Sequence, residues 1–400
     1  MRVRQRYQFN LFYIGVLFMW PVMRSLYLNI DGADRISGIM TVLAIIVNNR
    51  QLFRGPATMK IWILWVAYSL VNLMIKGYTN DYPFIWWSLA NLICPLVSML
   101  VIYNSILYND DKFLKKIVYF YLFYVLCGVL NLEVDDVSDR MGNAMGNSYL
   151  NESIFFMPFI LLYNKSKKIP AFLVFMFVAY IFLIIIMSGQ RKALVGLFIM
   201  VVGMLLAEIY RKSNNVKIGS LLMIFCVFAV ASYGAMFLMD NTLAGERFSK
   251  QFENTDYDYN IFLTLMGDRA FMYVDGLIEF LEHPLTGIGL TNFTNSRLNP
   301  MGFMLHTEYM TELAEGGVVG SSMFLMFYIG MIVRLIKMFR SNRATYETFI
   351  LGFALIAVLE INFFAWTYSY RYYFMLFGLI YAIYDKIIEA QLVKKSNEGN

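Results

Sequence analysis

Apolar runs close to the roughly 20 residues needed to cross a bilayer recur along the whole chain, separated by short polar loops. They fall at about Phe9–Tyr27, Asp34–Asn48, Ala57–Ile75, Phe84–Asn104, Phe113–Asn131, Glu152–Tyr163, Ile169–Met187, Ala193–Tyr210, Lys217–Met239, Tyr309–Met338, Tyr346–Trp366 and Tyr370–Lys386. Asp34–Asn48 and Glu152–Tyr163 are short for a full crossing, whereas Tyr309–Met338 is long enough to project beyond the membrane as a helix. The alternating segments of roughly 10 residues that mark a transmembrane barrel are missing. The pattern predicts an all-α fold: a polytopic transmembrane helical bundle with about twelve spans. One polar stretch, about Asp240 to Leu305, is much longer than the rest, and a loop of that length in a compact fold is usually functional. It divides the chain into an N-terminal transmembrane bundle (1–239), a long loop (240–305) and a C-terminal transmembrane segment (306–400). Within the loop, DRAFMYVDGLIEFLEHPLTGIGLTNF reads as an amphipathic helix stopped at Pro284 and followed by a glycine turn, and such a helix suits a membrane surface. No internal repeat of the kind found in inverted-repeat transporters is visible.

Composition agrees with this picture. Hydrophobic residues make up 59% of the chain and charged residues 15%, against about a quarter charged in soluble domains. The net charge of +5 is spread over short loops without forming a patch, which argues against a nucleic-acid partner. Cys94, Cys127 and Cys226 lie in apolar runs and imply neither a disulfide framework nor a CxxC site. The N-terminal apolar stretch exceeds a signal-peptide core and reads as a retained first span. Cations set the orientation. Arg2, Arg4 and Arg6, then Arg50, Arg54 and Lys60, then Lys112, Lys115 and Lys116, then Lys165, Lys167 and Lys168, then Arg211, Lys212 and Lys217, then Arg334, Lys337, Arg340 and Arg343 occupy alternate loops. The intervening loops are acidic or nearly neutral. Both termini are therefore expected in the cytoplasm, with the long loop on the opposite side.

Candidate chemistry gathers on that opposite side. LHTEYMTELAEGGVVG, Leu305 to Gly320, stands where the long loop re-enters the membrane and carries His306, one of two histidines. Glu308, Glu312 and Glu315 follow at helical spacing, where negative charge suits the start of a helix. Glu312 and Glu315 fall deeper, where an unpaired carboxylate is costly, so one of them calls for a partner such as an arginine. Gly316 and Gly320 form GxxxG, a membrane packing face. The short turn SGQRKA places Arg191 and Lys192 against the positive-inside bias. Snorkelling to the headgroups accounts for such cations, and so does contact with an anion. Arg269 opens the amphipathic segment, where it serves either as an interfacial cation or as a partner of Asp268. Arg140 either balances Asp135, Asp136 and Asp139 or has a functional role. No zinc-like ligand set, P-loop or GxSxG elbow is present, so neither metal nor cofactor is expected. A histidine and several arginines suit an anionic lipid-linked substrate. Arginine binds and neutralises a diphosphate, and a neutral imidazole accepts a proton from an attacking hydroxyl.

Four passages resemble the O-antigen polymerase and O-antigen ligase family of bacterial envelope proteins: RMGNAMGNSYLNES (Arg140–Ser153), SGQRKALVG (Ser188–Gly196), GDRAFMYVDGLIEFLEHPLTGIGLTNF (Gly267–Phe293) and HTEYMTELAEGGVVG (His306–Gly320). The arginine after a serine-containing turn, the "PLTGIG" turn and the histidine before a glutamate–glycine helix stand in the family's order. The resemblance implies a metal-independent inverting glycosyltransferase in the bacterial inner membrane, with its active site facing the periplasm. It implies that Arg191 and Arg269 contact the diphosphate of an undecaprenyl-diphosphate-linked oligosaccharide, and that His306 is the catalytic base. Thr307 departs from the asparagine, serine or glutamine usual in the family, but it can still cap the helix. NSYLNES departs from an asparagine–proline–asparagine pattern, which weakens a role for Arg140 and Asn147. A polymerase adds the glycan to another lipid-linked repeat unit, a ligase adds it to lipid A-core, and a chain-length regulator is a typical partner of the polymerases. The aromatic spans and the HTEYMTELAEGGVVG form favour a polymerase. A flippase for the same lipid-linked glycan is the alternative from another class, and it would place its cations near the midplane.

Overall fold

The computed structural model describes residues 3–26, 30–79, 82–130, 132–135, 140–143, 148–164, 191–213, 269–300, 304–340, 346–365 and 367–398, with 169, 170, 173, 179, 181 and 302. The spans expected at Ile169–Met187 and Lys217–Met239, and the first half of the long loop, fall largely or wholly outside these residues.

The described chain is built of α-helices. The first three are α1 (Val3–Leu26), α2 (Ile30–Asn48) and α3 (Ala57–Lys76). Then come α4 (Phe84–Ser88), which passes through one π-helical turn into α5 (Cys94–Leu130), and α6 (Ser148–Tyr163) and α7 (Arg191–Ser213). The last four are α8 (Arg269–Glu282), α9 (Glu308–Met338), α10 (Tyr346–Ile361) and α11 (Arg371–Glu398). Ala57–Lys76, Phe84–Tyr108 and Glu308–Met338 are long and apolar enough to cross a membrane.

The all-α class holds: among the described residues the helices are joined only by β1 (Leu132–Asp135) and β2 (Arg140–Asn143), a short antiparallel hairpin with Asp135 opposite Arg140. Two expectations need correction. The break expected between Asn104 and Phe113 is absent, because α5 runs unbroken for 37 residues. That stretch is polar but holds neither glycine nor proline, and polarity alone does not end a helix. Conversely, α9 is not one continuous helix, since Gly317 within it has φ 62° and ψ −166°.

Most buried side chains form one large core. Trp62 and Trp65 of α3 stack with ring centroids 4.4 Å apart, and Trp62 packs on Phe327 of α9 and Phe374 of α11. A smaller cluster of Phe293, Leu305 and Ala314 seats the second half of the long loop against α9.

Candidate functional site

The site is organised by the break in α9. In a continuous helix the carbonyls of Ala314 and Glu315 would accept from the N–H groups of Val318 and Val319. Instead the PLTGIG turn is inserted between them. Ile288 N–H donates to Ala314 O (3.0 Å) and Gly289 N–H to Glu315 O (2.9 Å). Val318 N–H and Val319 N–H donate to Pro284 O (2.8 Å) and Leu285 O (3.2 Å). Each bond lost from the helix is thus remade with the turn, as buried backbone requires. Two further carbonyls are satisfied from α3. Tyr68 Oη donates to Gly316 O (2.7 Å), and Asn72 Nδ2 donates to Thr286 O (2.8 Å).

All three glutamates are buried, with exposures of 0% for Glu308, 1% for Glu312 and 4% for Glu315. Among the described residues no arginine pairs with them, and the partners they have are N–H groups. Glu315 accepts from the backbone of Thr291 (2.9 Å) and Phe293 (3.2 Å). Glu312 accepts from Trp65 Nε1 (2.9 Å). Glu308 accepts from the backbone of Thr367 and Tyr368. Thr291 has a positive φ of 67°, rare for a β-branched residue. The turn containing it converges two N–H groups on one carboxylate, an anion-binding nest filled from within. Glu315→Gln should therefore cost about 1–3 kcal/mol, because its amide group sets a donor against a donor. Thermal unfolding in detergent would measure the loss, and an unchanged midpoint would show that Glu315 does not hold this turn.

His306 is half-buried on the bend before α9, between buried Leu305 and Thr307. Thr307 occupies the N-cap position but makes no side-chain cap, which corrects the expectation; its hydroxyl donates to Asn362 O (3.3 Å). Asn362 O also accepts from Glu308 N–H (2.8 Å), so the turn after α10 fastens the start of α9. Tyr368, in the same turn, has its phenol pushed well above the ordinary value, by burial first and then by the charges of Glu315 and Glu308. That phenol stays protonated at physiological pH.

The other expected site residues are placed by their helices. Arg269 begins α8. One turn further on, Tyr273 Oη donates to Phe363 O (2.7 Å), and Gly276 lies against Leu305 and Met310. The start of α8 therefore lies toward the turn that holds His306's segment. Arg191 begins α7, which packs antiparallel on α10: Arg211 lies over Tyr346 (5.5 Å), Tyr210 against Phe349 (5.3 Å) and Gly203 against Phe353. Continuing that register carries Arg191 to the level of the turn after α10. Arg140 stands in the hairpin, paired in register with Asp135. Gly320 packs on Tyr68, with a built Cβ 3.1 Å from its ring, as a packing glycine should. Gly316 would meet the carboxylate end of Glu312 (3.3 Å) and, at ordinary contact distance, Ser321 N (3.8 Å).

Trp65, Asn72 and Asn362 escaped the sequence reading. Asn72 and Asn362 offered a signal, as polar residues within apolar spans. Trp65 offered none. Arg371, buried to 7% exposure at the start of α11, is a further cation at this end of the molecule.

Residues 173–325 match the model of a family described as O-antigen ligase. The matched stretch contains Arg191, Arg269, His306 and the break in α9. No curated protein matches the chain.

Proposed function

We propose, from the match of residues 173–325 to a family described as O-antigen ligase, that the chain is an envelope polysaccharide polymerase of the bacterial inner membrane. It transfers a growing glycan from undecaprenyl diphosphate to a sugar hydroxyl of another lipid-linked repeat unit on the periplasmic face. His306 takes the proton from the acceptor hydroxyl as its oxygen bonds to the anomeric carbon. The bond from that carbon to the diphosphate breaks, and its electron pair leaves with the diphosphate. Arg191 and Arg269 hold the diphosphate and offset the charge that grows on it. Attack opposite the leaving group inverts the anomeric centre.

The observation that carries this proposal is the common end shared by three helix starts: α9 beside His306, α8 at Arg269 and α7 at Arg191. Two of the cations expected in the cytoplasm, Arg211 and Arg334, lie toward the other ends of α7 and α9. Arg211 is over Tyr346, and Arg334 is 3.8 Å from Asp385. A flippase would instead need its charges near the midplane. About twelve spans and two cytoplasmic termini belong to the same proposal, as do the division at 240 and 305 and a chain-length regulator as partner.

The family's description supports a second reading, a ligase that delivers the glycan to lipid A-core. Deletion of the gene separates the two. Lipopolysaccharide bearing a single repeat on its core is the result expected for a polymerase. A core bearing no repeat at all would make the chain a ligase, and an unchanged ladder would refute both.

A further inference from the structure

The last turn of α8 brings the chain's second histidine, His283, into a group that the proposed reaction does not use. Glu279, Glu282 and His283 each offer one ligand atom, and these atoms lie within 4.8 Å of one another. The spacing i, i+3, i+4 brings side chains of one helix together. Glu279 is the telling member. It is only 5% exposed, and it accepts one hydrogen bond, from Ser296 Oγ to Oε1. Among the described residues no cation pairs with the carboxylate. A carboxylate this buried, with one hydroxyl donor, favours a nearby cation, and its neighbours here are two further ligand-type groups. Glu282, by contrast, is exposed and paired with Arg297.

We propose that Glu279, Glu282 and His283 bind a divalent transition-metal ion of the zinc class. One imidazole and two carboxylates are donors suited to such an ion. Three protein ligands leave a position for water. The ion supplies the charge that Glu279 lacks, and Arg297 is the cation it displaces from Glu282. His283 directly precedes Pro284, where the chain enters the break in α9, so the bound ion stiffens that entry. The role is structural and independent of the transfer chemistry at His306.

The test uses the full chain, carrying a tag without histidine, in detergent after chelator treatment and desalting. Zinc binding is read by competition with a chromophoric chelator, and thermal unfolding is followed with and without zinc. A single zinc per chain is expected for the wild type, with a raised unfolding midpoint. His283→Ala, an exposed change that should fold normally, should weaken binding at least tenfold and abolish the rise. Glu279→Gln should do the same, and Arg297→Ala should bind several-fold more tightly. His306→Ala should bind as the wild type does, which separates this site from the catalytic one. Equal zinc affinity in the wild type and His283→Ala would overturn the proposal, as would loss of binding in His306→Ala alone.

Discussion

Alanine at His306 is expected to slow glycan polymerisation by about 10²–10⁴-fold, the usual contribution of a positioned general base. The substitution should leave the fold intact. His306 is half-buried on a bend whose anchoring comes from its neighbours: Leu305 in the small core, Thr307 on Asn362, and Glu308 on Thr367 and Tyr368. In cells that make the repeat unit, the long-chain ladder should collapse to short products while the protein stays in the membrane at normal level. Arg191→Ala and Arg269→Ala should shorten the ladder as well, through loss of diphosphate contact. Normal long chains with His306→Ala would remove the residue from the chemistry, whatever the fate of the arginines.

The sequence made His306 and the helix after it conspicuous for a physical reason. Polar and ionisable groups inside a membrane are expensive, so a histidine and carboxylates at the edge of an apolar run stand out. The same logic marked the three glutamates as costly, but it could not say how the cost is met. Arginine is the obvious counter-charge, and the structure uses amides and an indole instead. Those donors become available only because the turn after Pro284, the turn after α10 and the Trp65 face of α3 are packed onto α9. That is a long-range pairing without a local signature. The continuous α5 teaches the converse. The polar run from Asn104 to Phe113 reads as a loop because it is hydrophilic, yet it has no residue that ends a helix. Arg191 and Arg269 could be read as cations on the unexpected side. What brings their helices toward His306 is the antiparallel register of α7 on α10 and the contact of Gly276 with Leu305, and no motif encodes either.

Gly316 and Gly317 are adjacent in the sequence, and only the first completes GxxxG, yet the second should be the intolerant one. Gly317→Ala is expected to destabilise the protein by about 3 kcal/mol or more, summing backbone strain and overpacking. Its φ of 62° with ψ near −166° belongs to a region that essentially only glycine occupies. A Cβ there would sit 2.5 Å from Gly287 N and 2.6 Å from the carbonyl carbon and oxygen of Leu285. All are backbone atoms, so no rotamer change relieves the contact. Relief requires withdrawing the Pro284–Gly289 turn, which surrenders the bonds to Ala314, Glu315, Val318 and Val319 and unseats the two N–H groups on Glu315. Unfolding in nanodiscs and ladder length should therefore both suffer. Gly316→Ala, whose tightest contact is the carboxylate end of Glu312 at 3.3 Å, should cost far less. Gly352→Ala, in α10 with open space around it, should be neutral or stabilise by up to about 1 kcal/mol. If Gly316→Ala proves more damaging than Gly317→Ala, α9 is a continuous packing helix and the inserted turn does not organise the site.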